Sequence, residues 1–162
     1  MLIISLVALP HAAGAQTGET VRGACQATGC DEFTVVSKQA VAKGADGELF
    51  QTRVRVSRAG AAATEEDGHV YCSTSRPAVI NAPSGAKGLA YFLAPDEVPS
   101  ADTLRVSTNF FALYFTLCHD AATGRAAVAD RVSTARSLNY NVSARQAQTA
   151  VLNGAEDVLQ AR

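Results

Sequence analysis

Apolar and polar residues alternate with a period of two in the first half of the chain, which is typical of β-strands. Residues 31–43 predict a strand, although Val36 breaks the alternation set by Phe33 and Val35. Residues 48–58 alternate more regularly, and the GADG sequence between the two segments is a turn signal. The pattern therefore predicts a β-hairpin.

Two further apolar segments predict strands at residues 69–80 and 89–95. Pro77 interrupts the first, and because proline has no N–H for the ladder, this part is expected at an edge, a bulge or an exit. Residues 59–68, rich in alanine and acidic residues, predict a solvated loop. Residues 145–152 indicate a weaker strand, followed by a short terminal helix or tail.

The period changes to that of an α-helix near residue 100, where Ser100 or Asp102 can cap the start of the helix. The apolar positions of the first helix recur at spacings of seven, four and three: Leu104, Phe111, Phe115 and Cys118. A second helical pattern follows Gly124 and ends near Leu138. Both patterns place apolar side chains on one helical face.

This order of strands, then helices, then one late strand predicts an α+β fold. We expect a small antiparallel sheet of about four to five strands packed against two helices and braced by disulfides. No repeat, low-complexity tract or linker divides the chain, so residues 16–162 are expected to form a single exported domain.

The N-terminal residues predict export. Residues 2–9 form an apolar run of the length found in signal peptides, and small residues at Ala13 and Ala15 precede a cleavage point before Gln16. The basic residue that usually precedes such a run is absent, and the alternative interpretation is a first buried strand. We expect residues 1–15 to be a signal peptide, with the protein periplasmic or secreted and without stable membrane insertion after cleavage.

The charge balance narrows the classes of partner. The formal net charge is −1 at pH 7, whereas a protein that binds nucleic acid normally carries a basic excess or stripe. The chain also lacks the polybasic patch that attracts anionic lipid. An unknown protein or a small anionic ligand is expected as the partner, and no nucleic acid.

The cysteines predict a covalent framework. Four are present, at Cys25, Cys30, Cys72 and Cys118, and an even number in an oxidising compartment indicates two disulfides. Three pairings are possible, and the spacing favours Cys25 with Cys30 across a short loop, which leaves Cys72 for Cys118. In the chain-entropy model the long loop contributes about 4 kcal/mol and the short one about 2 kcal/mol.

The sequence Cys118–His119–Asp120 also suggests a catalytic alternative. Successive residues of a helix point about 100° apart, so Cys118 and His119 do not easily form a dyad with each other. A nucleophilic Cys118 would need His69 as its base. The alternative function is therefore a cysteine-dependent hydrolase or a thiol-redox enzyme that uses Cys118 and His69.

Three arginines are candidate anion ligands. Arg53 and Arg55 alternate onto one face of the predicted hairpin, and Arg76 is held extended by the proline that follows it. The alternative is a solvated charged face. No C-x-x-C pair, haem-attachment motif or H-E-x-x-H motif is present, so no metal and no cofactor are expected.

These observations favour an exported, disulfide-stabilised protein that acts as a non-catalytic binding or accessory module. The export signal and the paired cysteines support the first part of this hypothesis, and the lack of a convincing catalytic set supports the second. An envelope-associated structural protein is a further alternative, because the first predicted helix has an apolar face.

Overall fold

The computed structural model describes residues 18–81, 87–97, 100–143 and 147–160, in which seven strands form one antiparallel sheet in sequence order. The strands are β1 (Thr20–Gln26), β2 (Gly29–Lys43), β3 (Gly47–Ser57), β4 (Thr64–Ser73), β5 (Ala78–Asn81), β6 (Gly88–Phe92) and β7 (Gln148–Leu152). Between β6 and β7 lie α1 (Ala101–Cys118), α2 (Ala121–Ala129) and α3 (Arg131–Ser137), and a C-terminal 3₁₀ helix (Ala155–Leu159) follows β7. The predicted signal peptide, residues 1–15, lies outside these ranges.

The prediction of a small sheet of about four to five strands packed against two helices is wrong. The described residues form seven strands and three helices. One additional strand is β1, in a segment too poor in apolar residues to show alternation. The other arises because residues 69–80 form two strands rather than one. The chain reverses direction between Ser73 and Ala78, so that β4 and β5 pair with each other.

The predicted solvated loop at residues 59–68 is also shorter than expected. β4 begins at Thr64, and its acidic start pairs with β3, with Glu65 opposite Arg55 and Asp67 opposite Arg53. Cross-strand pairs of opposite charge stabilise a sheet. They offset the low intrinsic strand propensity of the acidic residues.

The second predicted helix is divided into α2 and α3 at Asp130. The backbone of Asp130 ends α2, and its carboxylate accepts a hydrogen bond from the Ser133 N–H at the start of α3. Asp120 caps α2 in the same way through the Thr123 N–H. Each aspartate satisfies an N–H that would otherwise lack a partner at a helix start.

The main core lies between the helices and one face of the sheet. Phe111, Tyr114 and Phe115 of α1 are buried together with inward-facing valines of the sheet such as Val54 and Val70. Leu104, the first position of the predicted apolar stripe, is 50% exposed. The stripe is therefore buried only from Phe111 onward.

Among the described residues, the opposite face of the sheet is covered in one part only. Near β5–β7 the C-terminal 3₁₀ helix packs Val158 against Leu49, Tyr71 and Ile80, which form a second, smaller core. Along β2–β4 the remaining side chains on this face are mostly polar, and the exposed ones include Gln39, Gln51, Arg53, Arg55 and Asp67. We refer to this polar area of β2–β4 as the open face. One solvated face is a common property of antiparallel sheets.

Candidate functional site

Both predicted disulfides are present. Cys25 is bonded to Cys30 across the β1–β2 hairpin, and Cys72 of β4 is bonded to Cys118 at the end of α1, with a Cα–Cα distance of 5.4 Å. No cysteine of this chain is free. The Cys118 sulfur therefore holds the helical layer to the sheet and is not a thiolate nucleophile in this structure.

The alternative dyad is also separated in space. Val70 and Cys72 of β4 face the helices, whereas His69 and Tyr71 project from the other side of the strand. His69 therefore lies on the opposite face of the sheet from Cys118. Burial lowers the pKa of His69, and its buried Nδ1 has no hydrogen-bond partner among the described residues.

His119 belongs to a chain of hydrogen bonds at the end of α1. Its Nε2 lies 2.8 Å from the Tyr140 hydroxyl, which is 3.2 Å from the Tyr114 hydroxyl. Tyr114 in turn donates to the Ser73 carbonyl at 3.0 Å and accepts from the Ser73 N–H at 3.2 Å. Burial lowers the pKa of His119 and raises the pKa of both tyrosines, so these groups are neutral at pH 7. This chain of hydrogen bonds fixes the end of α1 to the end of β4.

Asp46, in the β2–β3 turn, lies at the centre of a second polar cluster. The Arg76 guanidinium donates to both of its carboxylate oxygens, at 3.0 and 3.1 Å, and the hydroxyls of Tyr71, Ser73 and Ser75 also donate to it. These hydrogen bonds, that of Arg76 first, hold the pKa of Asp46 far below its usual range. The cluster ties the β2–β3 turn to the β4–β5 turn.

The three predicted anion ligands lie at two separate places. Arg53 donates to Asp67 at 2.7 Å and Arg55 to Glu65 at 2.8 Å, both on the open face. Arg76 is bound to Asp46 instead. Arg76 comes three residues after Ser73, which is paired with Gly47 at the start of β3. Gly47 and Arg53 are six residues apart on β3, so the two ends of this segment are about 20 Å apart at the rise of a strand.

Asp31 forms a third cluster, which sequence reasoning missed. Its side chain is 1% exposed and accepts two hydrogen bonds from Arg105 at 2.9 Å, one from Asn109 at 2.6 Å and one from the Ala59 N–H at 2.9 Å. The Arg105 hydrogen bonds, with those of Ala59 and Asn109, outweigh burial and lower the pKa of Asp31 to about 2. This buried carboxylate joins β2, the β3–β4 loop and α1.

The close approach of α1 to β1 explains a glycine in the middle of a strand. The Asn109 Oδ1 accepts a hydrogen bond from the Ala24 N–H at 2.8 Å. A Cβ atom on Gly23 would overlap this oxygen and would lie 2.8 Å from the Phe33 ring. Gly23 therefore allows α1 to pack directly on the strand.

A pocket of about 220 Å³ lies between α1 and the α2–α3 junction. Its lining includes Thr108, Phe111, Val128 and Arg131. Ligand pockets usually occupy about 300–1,000 Å³, so this one is small. The Arg131 guanidinium lies 5.5 Å from the Phe111 ring and donates to the Pro95 carbonyl at 3.0 Å, so its charge is already engaged.

Within the described ranges, no three histidine, cysteine or acidic side chains are grouped so that they could hold a metal ion. None of the helices in the same ranges is long and apolar enough to cross a membrane.

No protein-family model, curated protein or solved structure matches this chain. The geometry of the chain itself is therefore the basis for a functional proposal. That geometry comprises a disulfide-stabilised α+β fold, three polar clusters that join its elements and an exposed polar sheet face.

Proposed function

We propose that this chain is an exported protein that acts without catalysis, as a module that binds another protein through the open face of β2–β4. The observation that carries the proposal is the contrast between the two sides of the sheet. The helices cover much of one side of these strands and bury its valines, whereas the other side presents polar and charged side chains to solvent.

The disulfides support export. Such bonds persist in oxidising compartments and are rare in the reducing cytosol. Both pairs in this chain are closed, which is compatible with the predicted signal peptide at residues 1–15 and with a periplasmic or secreted location.

The charges of the open face favour a protein as the partner. Arg53 and Arg55 each face a carboxylate across the strands, and both members of each pair are about half exposed. A small anion would compete with a neighbouring carboxylate for each arginine. A protein surface with both signs of charge can pair with these groups without separating them.

Two carboxylates elsewhere in the fold are engaged in holding it together. Asp31 and Asp46 are surrounded by donors from several elements. The apolar face of α1, which suggested an envelope-associated protein, is buried against the sheet from Phe111 onward. These contacts favour a binding module over the enzymatic and envelope-associated alternatives.

Site-specific photo-cross-linking in an exporting bacterial host tests the proposal. A photoreactive amino acid at Gln51, on the open face, is compared with one at Ala126, an exposed position of α2. We expect a discrete protein adduct from position 51 only, which is lost when Arg55→Glu is added and kept when Arg125→Glu is added on α2. No adduct at position 51, or equal adducts from both positions, would contradict the proposal.

A further inference from the structure

Within the described ranges, four stretches of strand edge have no neighbouring strand. They are the outer edge of β1, residues 36–43 of β2 beyond the reach of β1, residues 64–68 of β4 beyond the reach of β5, and the outer edge of β7. Exposed edges can pair with another chain, and proteins usually prevent this with charges, bulges or proline.

Three of these edges carry such protection. β1 contains Arg22, and its register with β2 shifts between Arg22 and Cys25. The free part of β2 contains Lys38 and Lys43 and has one register shift at its start and a second within it. The free part of β4 contains three consecutive acidic residues, at positions 65–67. Each of these features discourages the addition of a strand.

The edge of β7 has none of these features. Its sequence, QTAVL, contains no charged residue and no proline, and its register with β6 is unbroken from Gln148 to Leu152. Val151 is 70% exposed, more than any other large apolar side chain in the described ranges. An uncharged and regular edge strand with an exposed valine is suited to pairing, and its length of five residues limits the strength of that pairing.

We infer that β7 pairs with β7 of a second copy of this chain, antiparallel and about a two-fold axis through Ala150. In this arrangement Thr149 of each copy lies opposite Val151 of the other on the same face of the sheet, so that the exposed valines are covered. The strand carries no charged side chain that would select an oppositely charged partner. The same surface patch serves both copies, as a two-fold dimer requires.

The inference is independent of the proposed function. β5 and β6 separate β7 from the open face of β2–β4, so the dimer leaves that face accessible. The paired edge is only five residues long. Because short interfaces bury little area, we expect a dimer that dissociates on dilution.

Sedimentation velocity over a concentration series of the mature, disulfide-intact protein tests the inference. We expect a reversible monomer–dimer equilibrium. Val151→Lys should raise the dimer dissociation constant at least about tenfold, because it places a charge on the paired edge. The matched control is Val41→Lys, which changes another exposed valine, on β2. It should leave the dissociation constant and the unfolding temperature unchanged.

Hydrogen exchange on the unmodified protein gives a second readout that does not depend on a variant. Amides of β7 should gain protection as the concentration rises, whereas those of residues 36–43 should not. A protein that remains monomeric throughout the series would overturn the inference. So would a dimer that survives Val151→Lys, a dimer weakened equally by Val41→Lys, or β7 amides that do not respond to concentration.

Discussion

Asp31 and Asp46 each connect segments that are distant in the sequence. Asp31 lies 74 residues from its partner Arg105, and Asp46 lies 30 residues from Arg76. Residue types and spacing reveal that arginines are present but not which carboxylate will reach them. The ion pair of Arg76 with Asp46 could therefore not be predicted from the sequence. The cysteine pairing could be predicted, because only four cysteines are present and the loop lengths favour one pairing.

Replacing Asp31 should remove a pH-dependent part of the stability. The folded pKa of about 2 lies below the unfolded value of about 3.9, so the folded state binds fewer protons between these values. The contribution, about 2 kcal/mol, is complete above roughly pH 5 and is lost as the pH falls towards 2. Asp31→Asn should therefore lower the free energy of unfolding at pH 6 by at least about 2 kcal/mol.

Urea unfolding of the native protein and of Asp31→Asn between about pH 6 and pH 2 checks this expectation. The difference in unfolding free energy should shrink as the pH falls. Glu32→Gln is the matched control, because Glu32 forms an exposed ion pair with Arg22. Such pairs contribute about 0–1 kcal/mol. A difference for Asp31→Asn that stays constant with pH would contradict the assignment.

At the scale of elements, segments with strong patterns were predicted well. The predicted hairpin is confirmed as β2 and β3, and the first predicted helix as α1, which ends at Cys118. The errors occur where tertiary contacts determine the structure. β1 is held by its packing against α1 at Gly23, and the start of β4 is held by its ion pairs with β3. Neither contact can be recognised from a local pattern.

The contact between α1 and α2 gives a prediction opposite to helix propensity. Glycine in a helix normally costs about 1 kcal/mol relative to alanine. At Gly124, however, a Cβ atom would overlap the Thr116 Oγ1 and would lie 2.9 Å from the Ala112 carbonyl oxygen. Gly124→Ala should therefore lower the free energy of unfolding by about 1–3 kcal/mol, the usual cost of overpacking.

Chemical denaturation of three variants checks this prediction. Ala122→Gly, at an exposed position of α2, should show only the propensity cost of about 1 kcal/mol. Adding Thr116→Ala to Gly124→Ala should recover part of the loss, because it removes the overlapping hydroxyl. If Gly124→Ala were more stable than the native protein, the close packing of the two helices would be wrong.

At the scale of the whole molecule, the two disulfides have different effects. The Cys72–Cys118 bond links the two layers and spans 46 residues, whereas the Cys25–Cys30 bond closes a hairpin and spans 5. A longer loop constrains the unfolded chain more. The long bond should therefore dominate the stability.

We expect Cys72→Ala with Cys118→Ala to lower the free energy of unfolding by about 4 kcal/mol, and Cys25→Ala with Cys30→Ala to lower it by about 2 kcal/mol. Each pair of substitutions is the control for the other. Alkylation of the native protein under denaturing, non-reducing conditions should label no cysteine. A reactive thiol at Cys118, or the reverse order of stabilities, would contradict this assignment and favour the thiol-dependent alternative.

The connectivity of the disulfides has a consequence for biogenesis. Each bond joins cysteines that are consecutive in the chain, Cys25 with Cys30 and Cys72 with Cys118. A chain translocated N-terminus first presents its thiols to an oxidant in that order. When each unpaired cysteine is oxidised with the next cysteine to emerge, Cys25 pairs with Cys30 and Cys72 pairs with Cys118. These are the native bonds. For the exported chain proposed above, we expect this route to require an oxidase but no disulfide isomerase to correct the pairing.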